Sequence, residues 1–150
     1  MKKLLISLFF LTSISTLVAT FSDYEEKSAV KEVIIKGYVN GAFNALDPEE
    51  MEKAFHEEFA IFSPGENGAL NRYPIDYWIS QVKKQKSSSG FDPESNKIEY
   101  NFVDVELLGT SAAVTIELLK GNKVIYTDYL SLLKFDDDWK IVAKIYHQHG

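Results

Sequence analysis

Residues 97–146 read KIEYNFVDVELLGTSAAVTIELLKGNKVIYTDYLSLLKFDDDWKIVAKIY, and this stretch decides the fold. From Ile98 onward, apolar and polar residues alternate with a period of two, which is typical of strands that have one buried face. The phase of that alternation reverses near Phe102, which predicts a β-bulge there. Three turn signals divide the stretch into four strands of an antiparallel meander: Gly109-Thr110, Gly121-Asn122 and Asp136-Asp137-Asp138.

The residues that precede this stretch predict three helices, because their apolar residues recur at spacings of three and four. Two glycines, Gly37 and Gly41, lie in the first helix, where they cost helix stability and indicate either close packing or a smoothly bent helix end. The predicted elements are a helix that starts at a Ser22/Glu25 capping box, a short helix capped by Asp47, a strand over Phe59–Phe62 and a helix opened by Pro74. The fold class is therefore α+β, with three helices packed on one face of a strongly curved antiparallel sheet.

Composition excludes several classes of protein. The chain has 150 residues, with 16 Lys+Arg against 22 Asp+Glu and a formal net charge of -6. This acidic balance argues against nucleic-acid binding, which needs a basic face. The absence of cysteine excludes a disulfide scaffold and a thiol nucleophile.

The first 22 residues have the pattern of a secretory signal peptide. Lys2 and Lys3 form a positive head, residues 4–19 carry no charge, and small residues follow between positions 19 and 22. The uncharged run is too short and too rich in Ser and Thr for a membrane span. We therefore expect cleavage within 19–22, one domain over 23–150, no membrane anchor after cleavage, and export to a bacterial periplasm.

Several local strings resemble the nuclear transport factor 2-like (NTF2-like) superfamily. They are Gly37-Tyr38-Val39-Asn40-Gly41, Ala54-Phe55-His56 and Trp139-Lys140-Ile141-Val142-Ala143-Lys144-Ile145-Tyr146. Over residues 24–147 the chain is similar to the exported branch usually labelled "putative lumazine-binding", which is related to SnoaL-like proteins. The resemblance implies a cone with a cavity at its wide end and dimerisation through the sheet. Members of the superfamily include isomerases, dehydratases, ligand-binding proteins and modules that only pair subunits.

Three residues are candidates for catalysis. Tyr38 corresponds in place to the tyrosine that stabilises an oxyanion in ketosteroid isomerase relatives, although a core tyrosine has the same pattern. His56 ends the second helix, where it can titrate or simply complement the helix dipole. The carboxylate base of those relatives is missing, because Ser63 and Pro64 occupy its place; Glu66 lies nearby in a Gly-rich loop.

Aromatic side chains and a terminal histidine complete the predicted ligand site. Phe62, Trp78, Tyr100 and Phe102 would form an aromatic wall, although such residues are more often part of the core. If Trp139, Ile141 and Ile145 face inward, His147 continues that face and borders the cavity. His147 and His149 share one strand face but lack a third ligand, so we predict no metal site and no cofactor. The predicted ligand-binding residues are Tyr38, His56, Phe62, Trp78, Tyr100 and His147.

Three functions remain open. The first is binding of a small apolar or aromatic molecule in the cone cavity without catalysis. The second is a dimerisation or association module that pairs through the sheet as a homodimer. The third is an enzyme of the isomerase, dehydratase or cyclase kind, in which Tyr38 donates a hydrogen bond and His56 or Glu66 acts as base. Whether the protein is an enzyme is left undecided.

Overall fold

The structure, a computed structural model, describes residues 23–150. The predicted signal peptide and the capping residue Ser22 lie outside the described residues. The first helix, α1, is α-helical over 23–33 and continues over Ile34–Asn44 with the wider i→i+5 hydrogen bonding of a π-helix. A Cβ at Gly37 would overlap that of Ala54 on the next helix, so the predicted close packing is confirmed.

The elements that follow α1 form a compact helix–hairpin–helix unit. Helix α2 (Pro48–Ala54) begins as predicted, with the Asp47 carboxylate accepting hydrogen bonds from two backbone amides of the first turn. The predicted short strand is longer than expected, because it pairs with a strand on each side. These elements are strand β1 (Phe55–Pro64), strand β2 (Leu70–Pro74) and helix α3 (Ile75–Lys86).

The remaining chain forms the four predicted strands, which are β3 (Glu99–Leu108), β4 (Ser111–Lys120), β5 (Lys123–Phe135) and β6 (Asp138–Gln148). With the first two strands they make a six-stranded sheet in the order β2-β1-β6-β5-β4-β3. All neighbours are antiparallel except β1 and β6, which are parallel. The predicted bulge is confirmed, since the pairing of β3 with β4 shifts between Phe102 and Asp104.

A second bulge, in β6, reverses the alternation of that strand. Between Ile141 and Ala143, β6 carries one extra residue, Val142, relative to β5. As a result Lys144 turns to the buried face and is 6% exposed, whereas Ile145 is 54% exposed. The expectation that Ile145 faces inward is therefore wrong, because a one-residue bulge moves every later side chain to the opposite face.

The helices pack on one face of the curved, unclosed sheet, which confirms the α+β class. The core is apolar, and the largest fully buried side chains come from α1, α2, the connection between them and the sheet. Within the described part of the chain, no helix is long and apolar enough to cross a membrane. The largest buried side chains are Tyr38, Phe59, Ile34, Leu46, Met51, Ile116, Leu118, Leu130, Leu132 and Ile141.

Candidate functional site

Three polar side chains meet inside this apolar core. Tyr38 comes from the π-helical part of α1, Asp128 from β5 and Lys144 from β6. Asp128 and Lys144 are the only buried charged side chains among residues 23–150. Buried charges are costly and are therefore kept in pairs or with hydrogen-bond partners. We call this group the inner triangle.

Each member of the inner triangle contacts the other two. The Lys144 ammonium donates a hydrogen bond of 2.5 Å to the Tyr38 hydroxyl and forms an ion pair of 2.9 Å with Asp128 Oδ1. The Tyr38 hydroxyl in turn donates to Asp128 Oδ2. Oδ2 therefore accepts a hydrogen bond within the triangle, whereas the buried Oδ1 has the ion pair with Lys144 but no hydrogen-bond donor.

Burial shifts the protonation equilibria of two of these groups. The pKa of Tyr38 is raised well above its ordinary value, mainly because of burial and also because of the Asp128 charge and hydrogen bond. Burial lowers the pKa of Lys144, and the ion pair with Asp128 opposes part of that effect. The Lys144 ammonium also lies 5.3 Å from the ring centre of Tyr146 and 5.9 Å from that of Tyr126. Cation–π attraction to these two rings partly replaces the hydration that the buried ammonium has lost.

Lys144 is the member of the triangle that lines a cavity of about 580 Å³. The cavity carries two cations, Lys144 and Arg72, and among the described residues that line it none is Asp or Glu. Arg72 is about half exposed, and its guanidinium lies 3.8 Å from the Glu58 carboxylate, outside the lining. The remaining lining is aromatic or neutral: Phe43, Tyr73, Trp78, Tyr126, Tyr146, Ile61, Ser63 and Asn71.

The helices hold the aromatic wall of the cavity in place. Trp78 projects from α3, and its ring lies edge-on to Tyr38 at 6.0 Å and to Phe43 at 6.2 Å. The same ring is stacked on Phe59 at 6.2 Å. Such pairs fix ring orientation as well as burying area. The π-helical segment places Tyr38 and Phe43 in this cluster, and π-helical turns are frequent at functional sites.

Two predicted site residues meet at this cavity, and two others lie elsewhere. Trp78 lines the cavity and Tyr38 lies directly beneath it. His56 lies in a separate groove, where its ring stacks on Phe135 at 4.9 Å and Nδ1 accepts a hydrogen bond from a backbone amide. Glu66 is exposed in the turn between β1 and β2. The structure therefore does not bring His56 or Glu66 to Tyr38.

The other predicted residues are also spread over the molecule. Phe62 is half-buried on β1 but does not belong to the cavity lining, to which its neighbour Ile61 contributes. Tyr100 is 40% exposed at the far edge of the sheet and packs on Phe102. His147 is exposed and lies against His149, beyond the cavity. Their roles as ligand-binding residues stay predictions.

Sequence reasoning missed Asp128 and Lys144. A signal for Asp128 is present, because it shares the strand phase of Leu130 and Leu132, which are both core residues. A charge in the buried phase of a strand is unusual and indicates a buried pair or a site. Lys144 gives no such signal, because the bulge at Val142 decides which way it faces.

Comparison with known proteins places the chain among NTF2-like proteins. A family described as "Putative lumazine-binding" matches residues 25–147. Aldolase FrzH from Cladobotryum sp is 34% identical over 136 residues, which cover 87% of this chain and 94% of that protein. An NTF2-like protein of unknown function from Shewanella baltica OS155 superposes with a TM-score of 0.66 at 28% identity, over 85% of this chain and 96% of the other.

More distant structures share the fold alone. An NTF2-like protein of unknown function from Silicibacter pomeroyi DSS-3 has a TM-score of 0.65 at 19% identity, covering 85% of this chain and 98% of that one. A protein described as a putative scytalone dehydratase from Novosphingobium aromaticivorans has a TM-score of 0.58 at 15% identity, over 87% and 89% of the two chains. These likenesses confirm the expected cone of helices on a curved sheet.

Proposed function

This chain belongs to the family described as "Putative lumazine-binding", within the NTF2-like proteins, and on that premise we propose that it binds a small planar molecule bearing a carbonyl or anionic oxygen. The observation that carries the proposal is the position of Lys144. This lysine joins the buried triangle to an aromatic cavity that has two cations and, within its described lining, no carboxylate.

The lining suggests how such a molecule is held. The rings of Trp78, Tyr126 and Tyr146 offer faces and edges to a flat ligand, and each aromatic contact contributes about 0.5–1.5 kcal/mol. Lys144 can donate to an acceptor oxygen, and a hydrogen bond from a charged donor contributes about 1.5–3 kcal/mol. Lumazine, the pteridine of the family description, is flat and has two carbonyl oxygens. One relative is named an aldolase, and aldolases act on carbonyl compounds, so the proposed class of ligands includes other carbonyl compounds.

The alternative of an isomerase, dehydratase or cyclase has less support. Such an enzyme needs a carboxylate base that faces the cavity. Among the described residues of the lining there is no Asp or Glu, and Ser63 and Asn71 cannot act as a carboxylate base. Asp128 lies beneath the lining, with its oxygens held by Tyr38 and Lys144. A general base must reach within about 3 Å of the proton that it removes. Binding is thus the function that the geometry favours.

The test is a calorimetric titration of the purified protein with lumazine. We expect saturable binding with one site per chain, and roughly tenfold weaker affinity for Trp78→Ala, since one ring contact is lost. Lys144→Met should weaken binding by about tenfold or more, because the charged donor is removed. Lys134→Met is the matched control, since this lysine lies outside the cavity lining. Absence of saturable binding, or equal affinity in Lys144→Met and wild type, would contradict the proposal.

We also propose that the protein is a homodimer that pairs through the outer face of the sheet. The support is a set of exposed apolar side chains on neighbouring strands, where Tyr129 of β5 pairs directly with Ile145 of β6. These two side chains are 49% and 54% exposed. Sedimentation of wild type and Ile145→Lys tests this: a dimer that becomes a monomer supports the pairing, and a wild-type monomer at high concentration refutes it.

Export remains a proposal that rests on the sequence of residues 1–22. The positive head and the uncharged run are the features that support it. N-terminal sequencing of the protein recovered from a periplasmic fraction is the test. A new terminus within residues 19–23 is expected, whereas an intact Met1 in the cytoplasmic fraction would contradict export.

A further inference from the structure

We propose that Lys144 forms a reversible Schiff base with an aldehyde or ketone held in the cavity. This inference rests on the proposed binding function and adds a covalent step to it. The ligand class is a planar carbonyl compound, and the bond that holds it is a C=N bond to Lys144 Nζ.

The geometry selects Lys144 from the cations of the site. Lys144 lines the cavity, and its amine contacts two groups that can exchange protons with it, Asp128 at 2.9 Å and Tyr38 at 2.5 Å. Arg72, the second cation of the lining, cannot take this role, because a guanidinium stays protonated and is not a nucleophile. Lysines act as Schiff-base nucleophiles where they are desolvated in an apolar pocket.

The surroundings of the amine favour the neutral form that attacks a carbonyl. Facing it are Tyr38 from α1, Asp128 and Tyr126 from β5, and Tyr146 from its own strand; Arg72 of β2 lies on the same cavity. Burial disfavours the ammonium, whereas Asp128 is the only carboxylate that opposes this among the described contacts. The raised pKa of Tyr38 keeps its hydroxyl protonated, so no second anion faces the amine.

The step balances without an oxidant or reductant. Lys144 passes one proton to Asp128, directly or through the Tyr38 hydroxyl. The freed nitrogen lone pair forms a bond to the carbonyl carbon, and the C=O π pair moves to the oxygen, which takes up a proton to give a carbinolamine. The proton that the oxygen takes up comes from the new, positively charged nitrogen, so the carbinolamine is neutral. The nitrogen then gives up its second proton, which leaves with the hydroxyl group as water, and the nitrogen lone pair forms the C=N bond of the imine. The proton first passed to Asp128 stays on that carboxyl. The sum is amine plus carbonyl compound giving imine plus water.

Trapping with sodium borohydride tests the inference. Purified wild-type protein is incubated with 4-hydroxybenzaldehyde, reduced with borohydride and analysed by intact mass and peptide mapping. Borohydride converts an imine into a stable secondary amine, so we expect one added ligand on the peptide that contains Lys144. The adduct should be retained in Lys134→Met, lost in Lys144→Arg, and suppressed in wild type by excess lumazine, which makes the result independent of how the variants fold.

A parallel titration without borohydride separates this inference from the proposed function. Saturable binding of the aldehyde by wild type, with no trapped adduct, would overturn the Schiff base and leave the binding proposal intact. Labelling that spreads over surface lysines, or that persists in Lys144→Arg, would also overturn it. If neither the aldehyde nor lumazine binds, both the proposed function and this inference fail together.

Discussion

The protein contains two groups made of the same chemical parts, a carboxylate, a lysine and an aromatic donor. In the inner triangle these are Asp128, Lys144 and Tyr38. In a second group, which we call the outer trio, Glu26 accepts hydrogen bonds from Lys134 at 2.5 Å and from the Trp139 indole at 2.7 Å. Their geometry is similar, but the outer lysine and carboxylate are 20% and 31% exposed, against 7% and 0% for the inner pair.

The difference in exposure places the two groups in different electrostatic environments. The outer trio ties the first turns of α1 to β5 and β6, and water still screens its charges. The inner triangle has lost that water, so each of its charges depends on the others. It also reaches a cavity, whereas neither Glu26 nor Lys134 lines it. The same three chemical groups therefore form a structural link between elements at the surface and a candidate reactive site in the interior.

The largest expected effect separates the two carboxylates. Asp128→Asn removes the partner of a buried ammonium, so we expect a loss of about 3–5 kcal/mol in the free energy of unfolding. Glu26→Gln removes a partly exposed pair, and about 1 kcal/mol or less should be lost. Urea denaturation at pH 7 measures both values. Equal losses would erase the distinction between the two groups.

Replacing both charges of each pair should sharpen the comparison. Lys144→Met with Asp128→Leu leaves no unpaired charge in the core, and such replacements are often neutral or stabilising. The double variant should regain most of the stability that either single change loses. We expect a coupling energy of about 2 kcal/mol or more for this pair, against less than about 1 kcal/mol for Glu26→Gln with Lys134→Met. Additive effects at the inner pair would refute the account.

The dependence of stability on pH should reflect the lowered pKa of Lys144. The pKa of Lys144 is lower in the folded protein, so at pH values between the folded and the unfolded pKa the unfolded chain holds a proton that the folded chain has released. Wild type should therefore gain stability relative to Lys144→Met as pH rises from that lowered pKa towards about 10.4, at up to about 1.4 kcal/mol per pH unit. A flat difference for Lys144→Met across the alkaline range would contradict the lowered pKa.

The smallest expected effect is the change in the stability of Glu26→Gln relative to wild type at acidic pH. Hydrogen bonds from Lys134 and then from Trp139 lower the pKa of Glu26 in the folded protein. Its contribution is therefore present above the unfolded pKa and is lost as pH falls through the folded value. The gap between wild type and Glu26→Gln, about 1 kcal/mol or less at pH 7, should close in acid. Thermal unfolding between pH 7 and pH 3 would show this, and a gap that stays constant would count against the assignment.

Local patterns were enough to predict the fold, because each pattern depends on neighbouring residues. Asp47 caps its helix, Pro74 precedes the third helix, and the reversal of phase at Phe102 marks a bulge. The spacing of apolar residues also put Tyr38 and Trp78 on buried helix faces. Both now lie at the cavity.

The centre of the site was not predictable in the same way. Lys144 faces inward only because Val142 is an extra residue opposite β5, and that register is set by pairing between strands rather than by the sequence of β6 alone. The same bulge turns Ile145 outward and leaves His147 exposed. His56 does not end the second helix as expected, because α2 ends at Ala54 and His56 lies on β1, where it stacks on Phe135 in another groove.

The most direct test of the account is a pH titration of lysine side chains by NMR, with ¹³C at the ε carbons. The signal that disappears in Lys144→Arg should titrate below the pH range of a solvent-exposed lysine, because burial lowers the pKa of Lys144. It should also shift when 4-hydroxybenzaldehyde is added, whereas the signal that disappears in Lys134→Met should not shift. If the Lys144 signal titrates in the range of an exposed lysine, about 10.4, and does not respond to the aldehyde, the inner triangle only supports the fold and the proposed site is wrong.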